Sequence, residues 1–248
     1  RQRQMCIRDS GDPYPRKIQD CLDSWKKHLP SYEIILWDTK RFNIHEVPWV
    51  EQAFNTKKYA FAADYIRLYA LYHHGGIYLD SDVEILKSLD NFLELPYFVG
   101  AETSGTIEAA ILGAEKGCDW IKCCLDYYEG RNFIREDGSY DIRMLPEILN
   151  ETILRLKPVI NMPSGSNIDD LKKKDLGEAV YVLPKEYFSP KVFDSREVFL
   201  TPETHAIHHY QNSWFSHKAF AYYRTRTLFI KIFGYKAVRS LEKMLLKR

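Results

Sequence analysis

Two aspartates at the end of a short apolar run are the residues of this chain best suited to chemistry. Asp80 and Asp82 flank one serine and directly follow the run at 77–79, which comes after a glycine pair. At the carboxyl end of a strand, two carboxylates can share a hard divalent cation, Mg²⁺ or Mn²⁺, that also takes phosphate oxygens as ligands. The pattern therefore predicts a metal site that neutralises a departing diphosphate.

The context of this pair matters more than the pair itself. With 17 aspartates among 248 residues, about one Asp-x-Asp pair is expected by chance. The pair could therefore be two residues of a solvated loop. The preceding helix, however, carries Asp64 and Arg67 at i, i+3 on one face. On a wet surface they would form an ion pair without function. Since this helix is apolar and aromatic nearly all round, we predict that it is buried and that these charges serve a sugar or phosphate ligand.

A second group of polar residues lies near the end of the chain. His205, His208 and His209 are followed by Ser213 and Trp214, on a predicted strand that runs into a turn. Imidazole is a good third ligand for Mn²⁺. Strand side chains alternate between the two faces, so at most one of His208 and His209 can be a ligand. The alternative is that all three are ordinary strand histidines.

Helical and strand periods alternate along the chain and define the elements that must position these residues. The predicted helices lie between 15 and 30, from 48 toward 54, from 57 to 74, near 120–128 and near 144–156. The predicted strands are 32–37 (buried), 77–79, 97–101, 109–112, 180–183 and 206–210. This alternation favours one α/β domain with a mainly parallel twisted sheet flanked by helices, whose ligands bind at the carboxyl ends of the strands.

The composition is that of a folded domain, with 45% hydrophobic and 28% charged residues. Since no apolar run reaches 18 residues and the first ten residues lack an apolar signal region, we expect neither a membrane span nor export. The five cysteines form no C-x-x-C pair, which favours a reducing compartment over a disulfide framework or a zinc finger. We therefore expect a cytoplasmic location.

Charge is distributed unevenly along the chain. Residues 224–248 carry a net charge of +7, and the rest of the chain carries −6, which argues against a nucleic-acid-binding face. Apolar residues interleave with the basic ones, so this segment could lie on an anionic membrane surface at the inner face of the membrane. A solvated helix packed on the domain is an equal alternative. We treat 217–248 as a basic amphipathic helical segment.

The segment 58–67, followed by 75–84, resembles the DXD sugar-binding region of family 32 glycosyltransferases. That family includes capsular-polysaccharide transferases and Och1-like mannosyltransferases. Further similar stretches lie at 13–15, 25–27, 32–38, 187–191, 206–210 and 213–214. The resemblance spans about 11–214, so we assign the glycosyltransferase domain to 11–216.

This resemblance implies a GT-A fold, a UDP- or GDP-hexose donor, Mn²⁺ or Mg²⁺, and retention of the anomeric configuration. It also implies roles for individual residues. The residues implied to bind the donor are Asp64 and Arg67, which would contact the sugar, and Asp80, which would contact the ribose or the metal shell. Ser213 and Trp214 would close over the phosphates. Those for the metal are Asp82 as the direct ligand and His208 as a metal or diphosphate contact, with His209 as its alternative.

We accordingly expect an enzyme that moves a hexose to a hydroxyl of a surface polysaccharide, such as a capsule, or of a lipid-linked oligosaccharide. The catalytic residue is unknown, and Glu102 is the candidate for holding the acceptor. The alternative is a non-catalytic, degenerate nucleotide-sugar or carbohydrate-binding module, which would bind the donor without turnover. A metal-dependent phosphohydrolase is a third hypothesis, and it would release phosphate without any acceptor.

The first ten residues depart from the family. Members open with an apolar strand and an aromatic-glycine turn that holds the nucleotide base, whereas 1–10 is polar and arginine-rich here. We predict that this stretch forms no central strand and is either foreign to the natural chain or disordered. Base binding would then be impaired.

Overall fold

A computed structural model describes residues 14–103, 105–192, 196–210 and 225–230, single residues at 232, 234 and 238, and the backbone of 3–7. The helices are α1 (Arg16–His28), α2 (Pro48–Asn55), α3 (Tyr59–His74), α4 (Asp119–Asp126), α5 (Leu145–Leu156) and α6 (Ile168–Lys172). The strands are β1 (Arg3–Ile7), β2 (Glu33–Trp37), β3 (Gly76–Leu79), β4 (Val83–Ile85), β5 (Tyr97–Ala101), β6 (Ile107–Ala114), β7 (Val159–Asn161), β8 (Val180–Val182) and β9 (Ala206–His208). Residues 225–230 are also helical.

The central sheet has five strands in the order β2-β1-β3-β6-β5. β1 runs parallel to β2 and β3, whereas β6 runs antiparallel to β3 and β5. Two small sheets accompany it, an antiparallel β4-β9 pair and a parallel β7-β8 pair. The predicted α/β fold is confirmed, and its sheet is mixed, with the parallel strands on the β2-β1-β3 side.

The apolar core lies on both faces of the central sheet, because side chains alternate along each strand. Tyr78 in β3 packs with the apolar residues of α2 and α3 on one face. Its neighbours Ile77 and Leu79 pack with Trp25 of α1 and Phe98 of β5 on the other. Both faces of β3 are therefore buried, which makes its carboxyl end a fixed point for the residues that follow.

α3 ends where the glycine pair predicts. Gly75 has φ +67°, and a Cβ there would lie 2.7 Å from the backbone nitrogen of Lys116. Only glycine combines this left-handed conformation with such a close approach. The helix therefore stops sharply and the chain turns directly into β3.

Two strand predictions are wrong. The stretch 32–37 is not a buried strand, because β2 lies at the edge of the sheet and leaves Ile34 and Leu36 each 41% exposed. The N-terminal stretch does form a central strand, since β1 pairs with β2 over five residues and with β3 on its other side. Backbone hydrogen bonding to two neighbours outweighs the poor strand propensity of Arg3 and Gln4. The hypothesis that 1–10 is foreign sequence stays a prediction.

Within the described part of the chain, every helix is too short or too polar to span a bilayer. Of the predicted basic segment 217–248, the structure describes 225–230, which are helical, and single residues at 232, 234 and 238; the rest lies outside the described residues.

Candidate active site

The aspartate pair lies in a tight turn that several backbone groups fix. The amide of Asp80 donates to the carbonyl of Ala110 at 2.8 Å, which extends the β3-β6 pairing by one residue. The carbonyl of Asp80 accepts from the amide of Val83 at 3.0 Å and closes a turn that contains Asp82. The buried indole of Trp25 donates to the carbonyl of Val83 at 2.7 Å. Both carboxylates are therefore presented from a rigid backbone.

Pairing of β4 with β9 brings a histidine to this turn. Val83 lies opposite His208 in the register, and the amide of His209 donates to the carbonyl of Asp82 at 3.0 Å. One ligand atom from each of Asp80, Asp82 and His208 lies within 4.8 Å of the others. Two carboxylates and one imidazole suit Mn²⁺ well and Mg²⁺ through the oxygens. The donor set therefore fits the divalent cation that the sequence predicts.

The other two histidines point elsewhere. His209 Nε2 lies 2.8 Å from a carboxylate oxygen of Glu84, and His209 is not part of the metal-ligand cluster. His205 Nδ1 lies 2.8 Å from the carbonyl oxygen of Glu203. The geometry thus favours His208 over His209 as the ligand, and it agrees with the expectation that at most one of the two can be a ligand.

Asp64 and Arg67 form a buried ion pair beside the aspartate turn. Arg67 Nη2 lies 3.1 Å from Asp64 Oδ1, and Nη1 lies 3.4 Å from Asp80 Oδ1. Nη1 also donates to the carbonyl of Ala109 at 2.7 Å, and the guanidinium stacks over the ring of Tyr78 at 4.6 Å. Arg67 is only 6% exposed, so the surface ion pair considered from sequence does not describe this contact. Its Nε is buried without a hydrogen-bond partner among the described residues.

Burial sets the charge balance of these three groups. It raises the pKa of Asp64 to about 7, against the opposing effect of Arg67. It raises the pKa of Asp80 as well, again opposed by Arg67. Burial alone lowers the pKa of Arg67, but Asp80, Tyr78 and Asp64 together outweigh it and raise that pKa. The guanidinium therefore keeps its charge and stabilises whichever carboxylates are ionised.

Comparison with known proteins finds a family model that matches part of this chain. Residues 15–99 match the family model described as a glycosyltransferase sugar-binding region containing a DXD motif. The predicted resemblance is therefore confirmed. We call 15–99 the sugar-binding region; it includes Asp64, Arg67, Asp80 and Asp82, whereas His208 lies beyond it.

Two curated relatives are similar to part of this chain. Inositol phosphoceramide mannosyltransferase 3 of Schizosaccharomyces pombe is 34% identical over 92 residues, covering 36% of this chain and 26% of that protein. Mannosyl phosphorylinositol ceramide synthase SUR1 of Saccharomyces cerevisiae is 33% identical over 109 residues, covering 40% of this chain and 28% of that protein. The chain therefore spans about a quarter of the length of these relatives.

A solved structure, PaToxG Glycosyltransferase, has a TM-score of 0.47 and 18% identity over 62% of this chain and 69% of that chain.

Glu108 is a site residue that the sequence analysis missed. It lies in β6, is only 3% exposed, and its Oε2 is 3.1 Å from His208 Nδ1. Although burial by itself acts in the opposite direction, the carboxylates of Glu108 and Asp82 raise the pKa of His208 to about 9. In turn His208 holds the pKa of Glu108 at about 2, against the effect of burial. The signal was present in the sequence as one carboxylate within the otherwise apolar run 107–114.

The remaining predicted site residues do not join this cluster in the described structure. Glu102 lies in the turn between β5 and β6, where its carboxylate accepts from the hydroxyl of Thr106 and its amide donates to the carbonyl of Thr106 at 2.9 Å. Its role in holding an acceptor stays a prediction. Ser213 and Trp214 lie outside the described residues.

Proposed function

We propose that this chain is a metal-dependent, retaining glycosyltransferase of GT-A type that moves a hexose from a nucleotide sugar to an acceptor hydroxyl. The observation that carries the proposal is that two groups of side chains meet beyond the carboxyl end of β3. These are the Asp80, Asp82 and His208 cluster and the buried Asp64–Arg67 pair, four of whose five residues lie within the sugar-binding region. A metal cluster alone would equally suit a phosphohydrolase.

Each group has a separate task in this proposal. Asp80, Asp82 and His208 would hold Mn²⁺ or Mg²⁺, which when bound offsets the negative charge of the diphosphate leaving group. Asp64 accepts hydrogen bonds from hydroxyls of the donor sugar. Arg67 is fixed by Ala109 and by two carboxylates, so its guanidinium would hold Asp64 and Asp80 in place beside the donor. The residues contribute chiefly orientation and charge stabilisation.

The names of the relatives guide the choice of substrates to test. Both name mannosyl transfer, and one names inositol phosphoceramide, a lipid, as the acceptor. We therefore propose mannose as the first donor sugar to test. The proposed acceptor is a hydroxyl of a surface polysaccharide, such as a capsule, or of a lipid-linked glycan. A cytoplasmic enzyme that meets the inner membrane surface through 217–248 would suit the latter.

The test is thermal stability with Mn²⁺ and a panel of UDP- and GDP-sugars, each with and without chelator. A ligand that binds only the folded chain raises the melting temperature. We expect a metal-dependent shift selective for one nucleotide sugar, followed by release of the nucleoside diphosphate when an acceptor is supplied. A shift without any turnover would support the binding module instead, and phosphate release without acceptor would support the phosphohydrolase.

The Asp82→Asn variant tests the metal role within the same assay. It replaces an anionic ligand by a neutral one of similar size, so the Mn²⁺-dependent shift should be lost while the metal-free melting temperature stays unchanged. The matched control is Asp90→Asn, at an exposed aspartate that bonds Tyr32 and should leave the shift intact. A full Mn²⁺-dependent shift in Asp82→Asn would refute the assignment of Asp82.

A further inference from the structure

The carboxylate of Glu108 contacts His208, a proposed metal ligand, at the ring nitrogen that does not face Asp82. Its Oε1 accepts from the amide of Ala110 at 2.9 Å, so this oxygen is committed to its own strand. Its Oε2 accepts from the hydroxyl of Ser189 and faces His208 Nδ1 at 3.1 Å. Tyr210 directs its hydroxyl to the same oxygen at 3.4 Å. The carboxylate therefore has both oxygens fixed and cannot turn away from the imidazole.

The two ring nitrogens of His208 have different neighbours. Nδ1 faces Glu108, whereas Nε2 lies 3.6 Å from Asp82 Oδ1, within the metal-ligand cluster. An ionised carboxylate can only accept a hydrogen bond, so Nδ1 must carry the proton of this contact. In the metal-bound state the lone pair is then on Nε2, directed at the cluster.

We propose that Glu108 is a positioning residue that fixes the ring orientation and tautomer of His208, so that Nε2 is the atom that binds the cation. This inference rests on the metal site of the proposed function. Support comes from three separate segments that hold the contact. Glu108 comes from β6, His208 from β9, and the amide of His208 donates to the carbonyl of Phe188 at 3.1 Å, next to Ser189.

The neighbouring pair of Glu84 and His209 is a built-in control. It has the same chemistry, a carboxylate oxygen 2.8 Å from an imidazole nitrogen, and it joins Glu84 of β4 to the residue that directly follows β9. His209, however, is not part of the metal-ligand cluster. An identical Glu→Gln change can therefore be made at both carboxylates, and only one of them should alter metal binding.

The experiment compares Mn²⁺ affinity of the chain without nucleotide, measured by electron paramagnetic resonance of free Mn²⁺. In Glu108→Gln the amide oxygen must face the amide of Ala110, so the amide N–H₂ group faces His208 Nδ1 as a donor. Nδ1 then accepts, and the proton moves to Nε2, where it blocks the ligand atom. We expect affinity to fall about 10- to 100-fold in Glu108→Gln and to stay within about threefold in Glu84→Gln.

The outcomes separate this inference from the proposed function. Absence of Mn²⁺ binding by the wild-type chain would contradict the proposed metal site itself. Binding by the wild type with equal affinity in Glu108→Gln would overturn the role of Glu108 alone. Should Glu108→Gln not fold, ¹⁵N chemical shifts of His208 in the wild-type chain with Zn²⁺ decide the matter. A proton on Nδ1 with metal on Nε2 supports the inference, and the reverse refutes it.

Discussion

Replacing Arg67 by methionine should destabilise the fold strongly, because the side chain is a buried cation between two partly buried carboxylates. Arg67 contacts Asp64 at 3.1 Å and Asp80 at 3.4 Å and donates to the carbonyl of Ala109 at 2.7 Å. Methionine follows the arginine side chain as far as Nε but lacks the guanidinium. The change therefore removes the charge and the hydrogen bonds of Arg67 while it keeps the packing of the apolar stem.

The size and pH dependence of the loss follow from the burial of the carboxylates. Removing one partner of a buried charge pair costs about 3–5 kcal/mol, because the remaining charge is unpaired and desolvated. Arg67 lowers the pKa of both Asp64 and Asp80, so its removal lets the folded state bind protons more tightly. Extra protons bound by the folded state stabilise it at low pH. We therefore expect the full loss at pH 8 and a smaller one at pH 5.5.

Urea denaturation of wild type and Arg67→Met at both pH values measures the free energy of unfolding. The matched control is Arg135→Met, which breaks an ion pair of similar length, 3.0 Å to Asp141, at a side chain that is 54% exposed. An exposed pair contributes only about 0–1 kcal/mol, so this variant should be nearly neutral. Equal losses in the two variants, or a larger loss for Arg67→Met at pH 5.5 than at pH 8, would refute the reasoning.

Two further changes test burial and packing around the site. The free energy of unfolding of wild type minus that of Asp64→Asn should fall by a few kcal/mol from pH 4 to pH 7. The reason is that folded Asp64, with its pKa of about 7, holds a proton that the unfolded chain releases near pH 4. A flat difference across that range would contradict the raised pKa. Gly113→Ala should cost about 1–3 kcal/mol, because the added Cβ would overlap the ring of Phe98, whereas Gly177→Ala, at an exposed position, should be nearly neutral. Urea denaturation checks both, and equal stability of the two glycine variants would count against the packing argument.

Much of the fold was predictable because its signals are local. α3 begins two residues after its predicted start at 57 and ends at His74, where Gly75 has a left-handed conformation. The strand at 97–101 was predicted with its observed bounds, and β6 extends the predicted 109–112 at both ends. Apolar periodicity and glycine punctuation act over a few neighbouring residues, so the sequence alone carries them.

The wrong predictions concern features that depend on distant partners. β1 is a central strand because β2 and β3 pair with it on both sides, which its own polar residues do not indicate. β2 is apolar, yet Ile34 and Leu36 are exposed, because side chains alternate between the two faces and only the face of Ile35 and Trp37 packs on the core in the described structure. β4 was missed since its three residues are too few for a periodic pattern, and its register is set by pairing with β9.

The candidate site shows the same division between local and distant information. Sequence order places Asp80 and Asp82 at the end of β3, and alternation limits the histidine ligand to one of two neighbours. Which one it is depends on the β4-β9 register, in which His208 faces Glu108 while His209 faces Glu84. The unusual feature is that both histidines meet a carboxylate, so charge alone does not distinguish them. What distinguishes the two histidines is the burial of their partners. Glu108 is a buried residue of β6, and the histidine that it contacts is His208, the one turned toward the aspartates.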